Sequence, residues 1–257
     1  MSTAPMPTAP RAKSGRILIV QNGVTDAPIA RAHGDYGDWF TRIMSSLGWS
    51  VSRLHAHTGA PLPQTLDEDI CGVILTGSPL SVADGEPWML EMGRWALEVA
   101  DSDTPVLAVC FGHQAVGEVL GGRVAPSPNG REYGTIQLDL TAEGREHPMF
   151  SGFPEKQQVV VQSIHSDALV VDPPGATLLA STEHTRWQAF CVGTTLWAVQ
   201  FHPELAPAAL RDLCALRQEP ASILDDDHGR SILRNWSDSL SRPPCRTEIP
   251  PGIARDS

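Results

Sequence analysis

Along the chain, short runs that are apolar at every position alternate with longer segments in which apolar residues recur every three or four places. ILIV at 17–20 and VLAV at 106–109 are wholly apolar, and GVILTG at 72–77 is nearly so, the pattern of strands buried on both faces. Between them, Trp39, Phe40, Ile43, Met44 and Leu47 fall at helical spacing after Asp35, and Gly48 stands where the helix should end. Pro87 opens a second helical pattern with Trp88, Met92, Trp95 and Val99 on one face. CFGHQAVGEVLGG at 110–122 follows the 106–109 strand directly and reads as a sharp turn into a helix that stops at a glycine pair. Strands separated by helices need right-handed crossovers. The pattern therefore predicts an α/β fold with a doubly wound, largely parallel central sheet and helices on both faces.

After Gly122 the period shortens. TIQLDL at 135–140, QVVVQ at 158–162, ATLLA at 176–180, WQAFCV at 187–192 and LWAVQFH at 196–202 are separated by turn residues, which predicts strands that extend the sheet antiparallel. Helices are expected from Pro207 to Leu216 and from Ile232 to Leu240. Residues 1–15, rich in Pro, Ala, Ser and Thr, read as a disordered tail, and 241–257 as a loose one, leaving 16–240 as a single domain.

Composition narrows the function. At 257 residues, with 41% hydrophobic and 19% charged positions, the chain can build one large core. Its 19 basic against 30 acidic residues give a net charge of −11, the wrong sign for binding nucleic-acid phosphates or an anionic membrane. No apolar run approaches the roughly 18 residues of a membrane span. The start of the chain also lacks the apolar stretch of a secretory signal, so a cytoplasmic protein with a small-molecule substrate is expected. The five cysteines (Cys71, Cys110, Cys191, Cys214, Cys245) are odd in number and contain no CxxC pair, which argues against a disulfide framework or a zinc ribbon. His55 and His57 lack a third clustered ligand, so no metal site is expected there. The DDDH run at 225–228 reads as a helix start, with Asp near the positive end of the dipole.

Two segments carry chemistry. In AVCFGHQ at 108–114, Cys110 sits where a buried strand turns into a helix, a position from which a nucleophile projects, and Gly112 permits close approach of substrate and backbone. Helix N-termini and nearby imidazolium groups favour the thiolate, which is the nucleophilic form. Amide N–H groups at such a turn can hold an oxyanion, an effect worth roughly 3 to 4 kcal/mol per donor. In VQFHPE at 199–204, His202 and Glu204 lie two apart across Pro203, and in extended chain they face the same way. They are the base and orienting acid of a Cys-His-acid triad. His165 beside Asp167 is a second candidate acid/base pair, and Trp88 a candidate pocket residue.

Together these two motifs resemble the class I glutamine amidotransferase family, in particular free-standing domains like that of GMP synthase, and are also similar to γ-glutamyl peptidases. LTGSP at 75–79 resembles the family's oxyanion loop, REYG at 131–134 its glutamate-glycine turn and SIHSD at 163–167 its substrate wall. Ala108 stands where the family elbow has glycine, and Ser78 replaces the second glycine of the common GGP loop. The resemblance implies a flavodoxin-like amidotransferase fold and a Cys110 γ-glutamyl thioester formed from glutamine. In it, His202 would pass protons and Glu204 would support His202. The N–H groups of Gly77 and Phe111 would form the oxyanion hole. Ser78 and Gln114, with Ser163 and His165 mainly through their main chain, would hold the glutamyl group. No cofactor or metal is implied, because a thiolate, an imidazole and an oxyanion hole suffice for acyl transfer. A separate synthetase or acceptor subunit is the implied partner. Two alternatives remain open at this level: a γ-glutamyl peptidase or hydrolase that works without a synthetase, and a non-catalytic regulatory module of the same fold.

Overall fold

In the computed structural model, which describes residues 13–240, strand β1 (Arg16–Gln21), whose residues 17–20 are all apolar, lies between two layers of helices. Ile17 and Ile19 face one layer and Leu18 and Val20 the other, which is why no polar residue is tolerated in the run. A short helix α1 (Ala27–His33) precedes α2 (Tyr36–Ser46), which begins at a capping box: Asp35 takes the Tyr36 N–H, and Asp38 takes the Asp35 N–H at 2.9 Å. There follow β2 (Ser50–His55), β3 (Ile70–Leu75), α3 (Pro87–Asp101), β4 (Val106–Val109) and α4 (Phe111–Val119). The second half contributes β5 (Arg123–Pro126), β6 (Glu132–Leu140), α5 (Ala142–Glu146), β7 (Val159–His165) and β8 (Asp167–Val171). It closes with β9 (Thr177–Ser181), β10 (Ala189–Val192), β11 (Leu196–Val199), α6 (Pro207–Leu216) and α7 (Gly229–Ser239).

Nine strands form one sheet in the order β2-β1-β3-β4-β11-β10-β9-β6-β7. The first five pair in parallel and the rest antiparallel, so the doubly wound core with its antiparallel extension is as the hydrophobic pattern predicts. Helices α2 and α7 cover one face through Phe40, Met44 and Trp236, and α3 and α4 the other through Met92, Ala96, Phe111 and Val116.

Several expectations need correction. Strand β11 is not part of the antiparallel extension: it runs parallel to β4 at the centre of the sheet, Ala198 opposite Ala108. It ends at Val199 rather than residue 202, and β3 ends at Leu75 rather than residue 77, although the Thr76 N–H still reaches Val20 O at 3.1 Å and the Gln200 N–H reaches Gln188 O at 2.8 Å. The sequence pattern misses β2, an edge strand whose polar residues hide its period, along with α1, α5 and the separate β5-β8 pair. Of the two expected tails, residues 1–12 and 241–257, with Cys245, lie outside the described residues. Lys13 is described, and its Nζ donates to Ser237 Oγ at 2.8 Å. Among the described residues no helix is long and apolar enough to cross a membrane.

Candidate active site

Cys110 occupies the turn between β4 and α4 with φ 49° and ψ −100°, a left-handed backbone that residues with a β-carbon rarely adopt. Its own N–H is bound to Val199 O at 2.8 Å and its carbonyl takes the Gln114 N–H at 2.9 Å. The last rung of the β4–β11 ladder and the first turn of α4 thus clamp the strained residue from both sides. Ala108, one rung earlier, is fully buried in a layer with Leu75 and Ala198, so its methyl group is absorbed by the core and the elbow forms without glycine there. The close approach made by Gly112 is not to substrate: a β-carbon there would lie 2.7 Å from Leu75 Cβ, so this glycine serves the packing of α4 on β3.

β11 delivers the second group. Beyond Val199 the chain leaves the sheet, and His202 is tied back by its N–H to Gln162 O at 2.8 Å. The 202–205 segment is a turn, with Leu205 N–H on His202 O at 3.3 Å, not the extended chain expected from the motif. The turn nonetheless brings Glu204 Oε1 to 2.8 Å from His202 Nδ1, with both side chains buried. That contact leaves Nε2 as the nitrogen directed to Cys110. Burial opposes the charged ring, but the charge of Glu204 and the interaction with Cys110 outweigh it and push the His202 pKa up to about 10.

β3 delivers the third. A β-carbon on Gly77 would lie 2.6 Å from His202 Cε1, 3.4 Å from Tyr36 Cε1 and 3.5 Å from Cys110 Cβ, so the bare backbone of this residue lies among all three side chains. Thr76 Oγ1 donates to Gly77 O at 2.9 Å, and Asn22 holds Thr76 through bonds of 3.0 and 2.8 Å. The Gly77 and Phe111 N–H groups make no hydrogen bond within the described residues. Ser78 is half-buried, and its hydroxyl accepts from the Leu80 N–H at 3.1 Å.

The remaining candidates line a polar layer behind the elbow. Gln114 Nε2 donates to Asp167 O at 2.9 Å and Gln200 Oε1 at 3.1 Å, leaving its own oxygen as the acceptor. Ser163 Oγ (3.1 Å), His165 Nε2 (2.8 Å) and Gln188 Nε2 (2.6 Å) converge on Glu132 Oε2. The Ser163 and His165 side chains are thus committed to this carboxylate, and their main chain pairs with Gly134 and Glu132 in the β6–β7 ladder. Burial disfavours the Glu132 charge, yet the His165 and Gln188 contacts hold its pKa below the usual carboxylate range.

A Glutamine amidotransferase class-I family profile matches residues 33–212 of this chain. The chain belongs to the class I glutamine amidotransferase family. It is 38% identical over 139 residues to the glutamine-hydrolyzing GMP synthase of Thermomicrobium roseum, across 54% of this chain and 24% of that protein. With the Porphyromonas gingivalis GMP synthase the identity is 28% over 205 residues, 74% of this chain and 38% of that one. The chain thus spans between about a quarter and two-fifths of the length of these relatives. In fold it is similar to a glutamine amidotransferase from Thermotoga maritima, with a TM-score of 0.66, 21% identity, and 88% of this chain and 97% of that chain covered. One from Methylobacillus flagellatus gives a TM-score of 0.69, 20% identity, and coverage of 90% and 97%.

Within this amidotransferase domain several residues fall elsewhere than their sequence suggests. His165 does not pair with the Asp167 carboxylate: its Nδ1 meets Asp167 O at 2.9 Å, while that carboxylate takes the Ser81 hydroxyl at 2.5 Å. Trp88 stacks on Phe111 with ring centroids 5.7 Å apart, which secures the residue whose N–H is a candidate oxyanion donor. His57 Nδ1 lies 3.0 Å from Gln21 O, and among the described residues no group of His, Cys, Asp and Glu is arranged to hold a metal. Asp227 accepts the Gly229 N–H at 2.8 Å at the start of α7, the role expected of the DDDH run. Sequence reasoning misses Glu132 and Tyr36. REYG marks the first only as a turn, and Asp35-Tyr36 reads only as a helix start.

His113, adjacent to Gln114, is fully buried against Phe190 at 4.8 Å, and neither ring nitrogen has a hydrogen-bond partner. Burial, then the nearby His165, pulls its pKa down to about 3 from 6.5. Below pH 6.5 the unfolded chain takes up this proton while the folded one refuses it, so stability falls as pH drops toward about 3. We expect His113→Phe to flatten the acid limb of a urea-unfolding profile by up to about 1.4 kcal/mol per pH unit. An unchanged slope would show that this ring is not the source.

Proposed function

We propose that this chain hydrolyses the side-chain amide of glutamine through a γ-glutamyl thioester on Cys110, releasing glutamate and ammonia. The observation that carries the reading is the conjunction at one point of a strained elbow cysteine, a buried His202–Glu204 pair and the bare Gly77 backbone. Cys110 sulfur attacks the amide carbon, and the oxyanion is received by the unused N–H groups of Gly77 and Phe111. His202 gives its proton to the departing nitrogen and then takes one from water, while Glu204 keeps the ring oriented and balances its charge. Gln114 Oε1 and the main chain of Ser163 and His165 take the substrate's amino and carboxylate groups. The ammonia serves an acceptor chemistry on a synthetase domain or subunit, as the names of the GMP synthase relatives suggest.

The test is ammonia and glutamate release from glutamine by the purified chain, with γ-glutamyl dipeptides alongside and a chloroketone analogue of glutamine as a thiol label. Equal amounts of the two products, and label on Cys110 alone among the cysteines, are expected. Dipeptide turnover far faster than that of glutamine would make it a γ-glutamyl peptidase instead. Absence of both turnover and label would overturn the proposal.

A further inference from the structure

Tyr36 has no part in the chemistry above, yet its position is closely specified. The capping box of α2 makes it the first helical residue, and only 7% of it is exposed. Its ring lies 6.3 Å from that of His202, tilted by 30°, and 3.4 Å from where a Gly77 β-carbon would be. Its hydroxyl makes no hydrogen bond to any described residue and, unlike the fully buried unpartnered polar atoms of this protein, keeps some exposure, so it is open to a small molecule. Beside it is a cavity of about 30 Å³ whose wall includes His202, Ser78 and Arg217 and, on the apolar side, Ile164 and Leu205. Such a volume admits a water or two and falls far below the roughly 150 Å³ that holds a benzene-sized molecule. The Arg217 guanidinium is already committed to Asp26 Oδ2 at 3.0 Å and to the Tyr133 hydroxyl at 3.4 Å. The Tyr36 hydroxyl thus makes no bond to another residue of this wall.

We propose that this cavity is the berth from which ammonia leaves and in which the hydrolytic water is then held, with Tyr36 as the residue that positions that water. The inference rests on the thioester chemistry proposed above. Ammonia and water are of similar size, and each exchanges a proton with His202 Nε2, so each must sit on the imidazole side of the acyl carbon. In acylation the C–N bond breaks and the nitrogen takes the His202 proton. In deacylation the water oxygen bonds to the thioester carbon and gives a proton to the now neutral His202. The C–S bond then breaks, the sulfur leaves with its electron pair, and glutamate is released. A Tyr36 O–H donated to the water oxygen leaves one water proton for His202 and one lone pair for the carbon. Burial, and Cys110 nearby, push the Tyr36 pKa up, so the phenol retains the proton it donates.

The experiment is rapid-quench ammonia release from glutamine by Tyr36→Phe, with mass spectrometry of the Cys110 adduct and melting curves to check folding. We expect a burst of one ammonia per enzyme at close to the wild-type rate, then steady turnover slowed at least ~10-fold, with acyl-enzyme accumulating. Hydroxylamine, a stronger nucleophile that depends less on positioning, should restore most of that rate and yield γ-glutamyl hydroxamate. Wild-type steady turnover, or equal loss in burst and steady state, would overturn the berth while leaving the thioester intact. No ammonia and no adduct from the wild-type chain would overturn the thioester chemistry, and the berth with it.

Discussion

Cys110→Ala should lose glutamine turnover by ~10⁴-fold or more, because the proposed acyl intermediate forms on the Cys110 sulfur. Ammonia release is the assay, and turnover within tenfold of wild type would mean the sulfur is not the nucleophile. The same position offers a second readout that an ordinary core cysteine would not give. Cys110 holds φ 49° and ψ −100°, a conformation that costs a residue with a β-carbon about 1 to 3 kcal/mol and costs glycine little. Alanine keeps that strain and glycine releases it. Cys110→Gly should therefore be the more stable of the two inactive variants, by about 1 kcal/mol or more in denaturant unfolding. At unstrained sites within helices and strands the order is the reverse, with glycine the weaker by about 0.5 to 1 kcal/mol. A glycine variant less stable than the alanine one would show that the elbow is relaxed and that no strain is stored beneath the thiol.

Gly77→Ala should reduce turnover by at least ~10²-fold in a protein that still folds. The added methyl would lie 2.6 Å from His202 Cε1, well inside van der Waals contact, so the imidazole or the loop must shift by several tenths of an ångström. Displacements of about 1 Å in a reacting group cost on the order of 10²-fold. Gly77 φ is not in the left-handed region, so no backbone strain is added. The melting temperature should consequently move little while kcat falls. Labelling of Cys110 by a small alkylating agent should persist, since the thiol itself is left in place. Wild-type kcat in this variant would show that the loop is free to yield and that Gly77 is not held against the imidazole.

Much of this molecule is legible along the chain because its core strands are buried on both faces. Nothing but continuous apolar runs can occupy β1, β3 and β4, and nothing but a 3.6-residue stripe can cover them, as α2 and α3 do. The edge strand β2 and the pair β5-β8 carry mixed residues, and their identity depends on partners far away in sequence. The parallel placement of β11 is likewise invisible locally, since LWAV has the same composition whichever way its neighbour runs.

The candidate site divides along the same line. Motif spacing alone determined Cys110 at a strand-to-helix turn and His202 two residues before Glu204, because both constellations are built within a few residues of one backbone. What gathers round them was decided only in three dimensions. Pairing β11 beside β4 puts His202 next to Cys110, and β3 beside β4 brings the bare Gly77 backbone against both. Glu132 on β6 reaches Ser163 and His165 on β7 and Gln188 just before β10, and α2 sets Tyr36 beside the imidazole. Hydrophobic period and turn chemistry act over a few residues and can be read in order along the chain. Contacts between residues a hundred positions apart arise from which strands pair, and strand pairing is a property of the whole core.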